Sequence, residues 1–468
     1  MDEGTYRAAT LARASHRTVI FSAPLAAKLN RQTSQPSMLR LVDDGFPSYS
    51  PCFPQPSSDP SEAFAMIVIV AIAVAAVVTL LLTVGPIARS ETWRATVTPL
   101  ASIIGSGFLI CGPLLAREFG AAALGAMAVL LLLAYAVGWV IRFNIAVVEP
   151  LAETLRLHDP FAWAMRVAQG MLGIAYAVSV AYYLKLLAEF GMKRLAVPET
   201  IHALVANIVV TAIILLFVAL TFSGSIRKIE HAAHGSVSLK IGIIAGLLAA
   251  LAMWWLQHAG DTAALPPVRV GWGSVAMLLG LLITVQGFET SRYLGASYGR
   301  QTRIRTMRLS QLMSSAIYLG FIALLTPFLG QAQHAEGVAG ILDIMTIVAS
   351  ALGIFVLIGA AASQLSAAIA DSIGAGGLLI EVSRGKLGVR GAFLASSALS
   401  VAIVWLTDPF QVVALASRSF ALFYAMQAAL AFWASLRSGA GGRAARGGFA
   451  AIGLICAVAA AAGAPAEG

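Results

Sequence analysis

After a polar opening, the chain alternates apolar runs with short polar connectors, and most runs are close to the ~20 residues that cross a bilayer as a helix. The pattern predicts helices at 95–116, 120–141, 161–190, 200–222, 236–257, 271–298, 308–330, 341–371, 391–407, 409–436 and 447–464. A further apolar run at 65–85 reads either as an extra spanning helix or as a signal-like segment, and its length favours the helix. Residues 1–62 are polar and rich in Ser and Pro, without periodicity, which is the composition of a disordered tail. That tail reads as a regulatory element, as a flexible extension, or as the product of a start assigned ahead of Met66.

Two of the apolar runs are interrupted. In ATVTPLASIIGSGFLICGPLLAREF the sequence Gly105-Ser106-Gly107 falls at mid-depth, and in GLLITVQGFETSRYLGA the sequence Gln286-Gly287-Phe288-Glu289 falls at the matching depth of a later helix. A spanning helix normally satisfies its own backbone, so an interruption frees N–H and C=O groups, tolerable where they face protein or a cavity. A pair of broken helices, one in each half of the chain, points to a transporter site at the bilayer midplane.

Composition agrees with the pattern. Hydrophobic residues are 59% of 468 and charged ones 11%, against ~25% charged in soluble proteins. The net charge of +9 takes its meaning from placement, because the basic residues lie between apolar runs. Alternate connectors hold 18 and 5 Lys or Arg, respectively, which places the richer set in the cytoplasm. With that topology the two broken helices, five spans apart, run in opposite directions, as inverted repeats require.

Together IIGSGFL, the VQGFE five spans later, and Lys240 in VSLKIGIIAGLL resemble the amino acid-polyamine-organocation (APC) superfamily. The resemblance covers roughly residues 95–436 and departs from well-known permeases at Gln286, at Arg292 and in the extra first helix. It implies an all-α polytopic membrane protein with a LeuT-like fold of five plus five inverted repeats and discontinuous first and sixth core helices. The implied organisation is an extra helix at 63–88, repeats at 95–258 and 270–436, and an eleventh core helix with the C-terminus at 446–468. It also implies that Lys240 stands near the first break where sodium-coupled relatives hold sodium. Of the paired hydroxyls those relatives use in the eighth core helix, Ser366 keeps one and Ala367 loses the other.

At the first break, the N–H groups of Ser106, Gly107 and Phe108 open the outer half-helix and suit a carboxylate, while the carbonyls near Ala101 and Ile104 end the inner half and suit a cation or ammonium. Gly105 and Gly107 allow close approach; the alternative is small-residue helix packing. Thr284, Val285, Gln286 and Gly287 are expected on the opposite wall, with Tyr176 capping the site and Tyr182 and Tyr183 either capping it or lying in an interfacial belt. Glu289 is a proton carrier or gate, or else pairs with Arg292. Lys240 is either a titrating cation in the site or a lysine snorkelling to the surface. Arg418, deep in the tenth core helix, pairs with Glu289 or Asp343 or lines an anion path.

Other chemistries find no footing. Cys52, Cys111 and Cys456 are far apart, His231 and His234 have no third ligand, and no phosphate loop or hydrolase constellation is present, so no metal site, cofactor, catalytic residue or nucleic-acid partner is expected. The arginines from Arg292 to Arg308 fit orientation as well as lipid headgroups. The sequence therefore predicts a secondary transporter in the cytoplasmic (inner) membrane that moves amino acids or related small amines or organic acids with protons or by exchange. A sensor or scaffold with the same fold is the alternative.

Overall fold

A computed structural model describes residues 60–105, 107–154, 158–195, 197–222, 226–258, 265–268, 270–295, 297–334 and 340–464. Ser106, Arg156, Arg269 and the tail, together with the side chains of Arg227, Lys228, His231 and His234, lie outside the described residues. Residues Ser58–Gly468 form one compact unit, helical throughout, with no strand among the described residues.

The helices are α1 (Pro60–Thr83), α2 (Pro86–Arg89), α3 (Glu91–Ile103), α4 (Gly107–Phe119), α5 (Ala123–Phe143), α6 (Glu149–Glu153), α7 (Pro160–Arg194), α8 (Glu199–Phe222) and α9 (Ile226–Gln257). They continue as α10 (Trp272–Gly280), α11 (Arg300–Leu324), α12 (Leu329–Gln333), α13 (Ile341–Val348), α14 (Leu352–Val382), α15 (Val389–Leu406), α16 (Pro409–Ser438) and α17 (Gly442–Ala462). Among the described residues ten helices are long and apolar enough to cross a membrane. Neither α3 nor α10 is long enough to count alone. Each is half of a broken span, and α4 runs into α5 through the short turn Gly120–Ala122. The protein is an integral, multi-pass membrane protein.

Local chemistry sets the ends. Asp159 caps α7 by accepting from Phe161 N at 2.8 Å, with Pro160 at the first helical position. Asp408 and Gln411 form a reciprocal capping box at α16. The run at 65–85 becomes α1, and its contact with α9 is made by small residues. A Cβ on Gly242 would lie 2.6 Å from the Ala75 carbonyl, and one on Gly246 3.1 Å from the Ala75 side chain.

Four expected spans differ from the structure, the simplest being the one at 236–257, which begins at Ile226. The run at 341–371 is two helices, because Ala349 is extended (φ −164°, ψ 137°) and α14 restarts at Leu352; no Gly or Pro marks the spot. The helix expected at 308–330 begins at Arg300, since Arg303 is buried and held by Glu149, which draws the basic segment into α11. The run at 271–298 keeps α-helical form only to Gly280 and continues as 3₁₀ turns, Leu282–Val285 and Phe288–Leu294.

Candidate functional site

The first break is an end of α3 whose carbonyls have been taken up by other helices. Ile104 leaves the helical region (φ −85°, ψ 69°), and α4 resumes at Gly107. The last carbonyls of a helix carry its negative dipole end and lack intrahelical donors. Here Lys240 Nζ of α9 donates to Ala101 O at 2.6 Å, and Ser363 Oγ of α14 donates to Ile104 O at 3.3 Å. The Tyr318 hydroxyl of α11 donates to Thr284 O and sits 3.1 Å from Ile103 O, joining the carbonyls of both breaks. Lys240 is 1% exposed, so it does not snorkel.

The second break is built around Gly287. Gln286 is extended, and Gly287 adopts φ +116°, a left-handed conformation that side chains resist. A Cβ on Gly287 would lie 2.6 Å from both the carbonyl carbon and Oγ of Ser102, and 2.7 Å from Ile103 N. The two breaks therefore pack directly on each other. Gly287 N donates to Glu289 Oε2 at 2.9 Å, and the Tyr424 hydroxyl donates to the same oxygen at 2.9 Å. Gln286 Nε2 donates to Tyr183 at 3.3 Å. Gln286 Oε1 and Glu289 Oε1 are buried without a partner. Ser417 of α16 accepts from Ile283 N at 2.9 Å and donates to Gly280 O at 2.6 Å, which closes the end of α10.

A cavity of about 480 Å³ lies alongside α3 on the N-terminal side of its break. Thr98, Ala101 and Ser102 form one wall, Thr290, Tyr293 and Leu294 another, and α14 from Ser366 to Glu381 the third, with Tyr176 and Val237 completing it. Of the residues expected in a site, Ala101, Tyr176 and Ser366 line this space. Lys240 stands behind Ala101 at a second space of about 20 Å³ that it shares with Phe108 and Ser363.

The structure places several of the expected residues away from this cavity. Gly105, Gly107, Ile104, Thr284, Val285, Gln286 and Gly287 are packed behind the cavity rather than lining it. A Cβ on Gly107 would sit 2.9 Å from the Tyr182 hydroxyl and 3.2 Å from Thr284 Cα, and one on Gly105 3.2 Å from the Tyr183 ring. Phe108 packs edge-on against Phe321 with centroids 5.0 Å apart, and Thr284 Oγ1 is tied to Leu281 O at 2.7 Å. Tyr182 and Tyr183 are buried against the breaks rather than sitting in a belt. The hydroxyl of α14 that meets the break is Ser363, whereas Ser366 bonds Ser363 O at 2.9 Å within its own helix.

Two expected ion pairs are absent. Arg292 does not pair with Glu289. It donates to Gln427 and lies 3.8 Å from Glu149, whose carboxylate takes a two-pronged bond from Arg303 at 2.9 and 2.7 Å. Arg418 is exposed and donates to Gly463 O at 2.6 Å, while Asp343 pairs with Lys193 at 2.5 Å. Depth along a helix does not fix which way a side chain faces, and Arg418 faces outward. Sequence reasoning also passed over Tyr318, Ser417 and Asp371. Asp371 carried a usable signal, an ionisable residue inside a spanning helix.

A helical membrane bundle with two helices interrupted face to face, and a cavity beside them, has the architecture of a small-molecule transporter. The chain belongs to the APC superfamily of transporters, whose sequence profile, described as "APC superfamily transporter", matches residues 85–463. It is also similar to an uncharacterized protein of Aquifex aeolicus (strain VF5), 35% identical over 354 residues that make up 74% of this chain and 85% of that protein. The family consists of transporters rather than enzymes. Helix α1 lies outside the matched segment.

Proposed function

We propose that this protein is a secondary active transporter of amino acids or related small amines or organic acids, working by alternating access in the cytoplasmic membrane and coupled to protons or to exchange, not to sodium. The observation that carries the reading is the 2.6 Å bond from Lys240 Nζ to Ala101 O. A tethered ammonium occupies the carbonyl end of α3, where helix electrostatics favour a cation, so a mobile metal ion has no vacancy there. The basic connectors orient the cavity mouth toward the cytoplasm. Substrate enters beside α3 and engages Tyr176, Thr98 and Ser102, and the packed breaks separate to pass it across. The buried Gln286 and Glu289 oxygens then gain partners from the substrate.

The test is uptake of a panel of radiolabelled amino acids, amines and carboxylates by purified protein in proteoliposomes. One or more compounds accumulate in the wild type, and Gly107→Leu, which forces a side chain between Tyr182 and Thr284, abolishes uptake while the protein stays folded. Undiminished uptake by folded Gly107→Leu overturns the role given to the break. Binding without flux favours a sensor.

A further inference from the structure

The outer surface of the bundle carries a groove that the cavity beside α3 does not use. It has a volume of about 730 Å³ and lies between α7, the C-terminal end of α14, and α16. On α7 its wall is made by Trp163, Val167, Gly170 and Ile174, spaced by three or four residues and therefore on one helical face. Leu422 and Met426 of α16, one turn apart, supply a second wall, and Val382 adds the end of α14. A Cβ on Gly170 would come no closer than 3.8 Å to Val382, so the floor is open. Trp163 is 63% exposed and Ile174 45%, and no described segment covers them.

The lining also holds two cations, Arg166 and Arg384, and no carboxylate. Glu381, the acid nearest Arg384 in sequence, lines the cavity beside α3 instead and accepts from Gln169 at 2.8 Å. Both arginines belong to the set that the count of basic residues places on the cytoplasmic side. Helix α7 has 35 residues, about 52 Å of helix against a hydrocarbon core of about 30 Å. Its ends therefore reach the headgroup layers, and Trp163 and Arg166 lie in its first two turns. Arg384 is the one non-glycine with a positive φ (56°) among the described residues, at a helix end that glycine would form without strain. Backbone strain retained at a side chain points to a task for that side chain. An apolar face toward lipid is ordinary in a spanning helix, but a trough with arginines at its cytoplasmic end complements an acyl chain below an anionic headgroup.

We propose that this groove binds an anionic glycerophospholipid of the cytoplasmic leaflet, with its phosphate on Arg166 and Arg384 and an acyl chain along Val167, Ile174 and Met426. The guanidinium groups offer planar donor forks to phosphate oxygens. The Trp163 indole lies at headgroup depth, and Gly170 leaves room for the chain. From Arg166 to Ile174 the helix rises about 12 Å, which lets much of an acyl chain lie in the trough. The site is separate from the cavity beside α3 and does not rest on the transport reading.

The experiment follows thermal unfolding of the purified full chain in detergent while dioleoyl-phosphatidylglycerol, dioleoyl-phosphatidylcholine or inorganic phosphate is titrated in. Phosphatidylglycerol stabilises the wild type at a roughly tenfold lower concentration than phosphatidylcholine, because two arginines distinguish the headgroups, and inorganic phosphate is without effect. Arg166→Gln with Arg384→Gln removes that preference, whereas Arg166→Lys with Arg384→Lys keeps most of it, which separates charge from a folding defect. Gly170→Leu fills the trough and weakens phosphatidylglycerol binding by more than about threefold. Arg300→Gln with Arg305→Gln, equal in charge but at exposed positions of α11, leaves the preference intact. The assignment is overturned by a wild type without the preference, by a preference that survives loss of both groove arginines, or by one that falls equally in the α11 variant. Wild-type binding by Gly170→Leu overturns it too, as does inorganic phosphate that matches phosphatidylglycerol, which would make this a simple anion site.

Discussion

At the first break the groups set free are carbonyls, and at the second the key freed group is an N–H. The protein answers each with a buried ionisable side chain, a lysine at the carbonyls and a glutamate at the N–H. Lys240 meets the carbonyl end of α3, and Glu289 meets the Gly287 N–H at the start of the Phe288–Leu294 turns. The answers also differ in origin: Lys240, Tyr318 and Ser363 reach the first break from three other helices, whereas Glu289 is two residues from the N–H it caps. The second break also draws on other helices, since Tyr424 of α16 shares Glu289, Tyr183 of α7 accepts from Gln286 and Ser417 of α16 accepts from Ile283 N; what distinguishes it is that one of its caps is local.

The largest effect expected is at the point where the breaks touch. Gly287→Leu places Cβ within 2.6 Å of Ser102 and demands φ +116° of a branched side chain, costing about 3 kcal/mol or more from strain and overlap together. Little folded protein survives solubilisation in a thermal-unfolding assay, while Gly320→Leu, with open space around it, behaves as wild type. Normal stability of Gly287→Leu would show that the breaks are not packed together.

Next come the two charges. Lys240→Met leaves the buried Ala101 carbonyl without its donor and costs about 2 kcal/mol. Glu289→Gln retains an acceptor for Gly287 N and costs less, ~1 kcal/mol. Denaturant unfolding of the two variants in the same detergent checks the order; a reversed order would mean that the second break is the one that leans on its charge. Tyr318→Phe removes the hydroxyl between Ile103 O and Thr284 O. It falls between these two, at ~1–2 kcal/mol, because two buried carbonyls are affected.

The breaks themselves were legible because Gly-Ser-Gly and Gly-Phe-Glu cannot continue an ordinary spanning helix, and their spacing repeated. What closes them was not, because Lys240 lies far from Ala101 in sequence and the same residue near a helix end can snorkel as easily as turn inward. Direction around a helix axis was the general blind spot. It hid the exposure of Arg418, the burial of Tyr182 and Tyr183, and the place of Asp371 in the cavity wall. The kink at Ala349 was invisible for a different reason, since Ala349, Ser350 and Ala351 carry no helix-breaking chemistry.

The smallest effect lies outside the bilayer and is a control on the rest. The Phe161 N–H, and after it Arg437, hold the Asp159 carboxyl below its usual value of 3.8. A depressed acid contributes stability above the unfolded pKa and loses it as pH falls through the folded one. Asp159→Asn should therefore melt slightly below wild type at pH 7, with the gap closing below about pH 4; a gap that widened in acid would contradict the capping role.

In the proposed reading the Lys240 ammonium at the first break takes the place of a transported cation. Substrate uptake into proteoliposomes, with a proton gradient or a sodium gradient imposed separately, is then expected to respond to the proton gradient or to internal substrate, to ignore sodium, and to be lost in Lys240→Met. Uptake that requires sodium, or that survives unchanged in Lys240→Met, would contradict it.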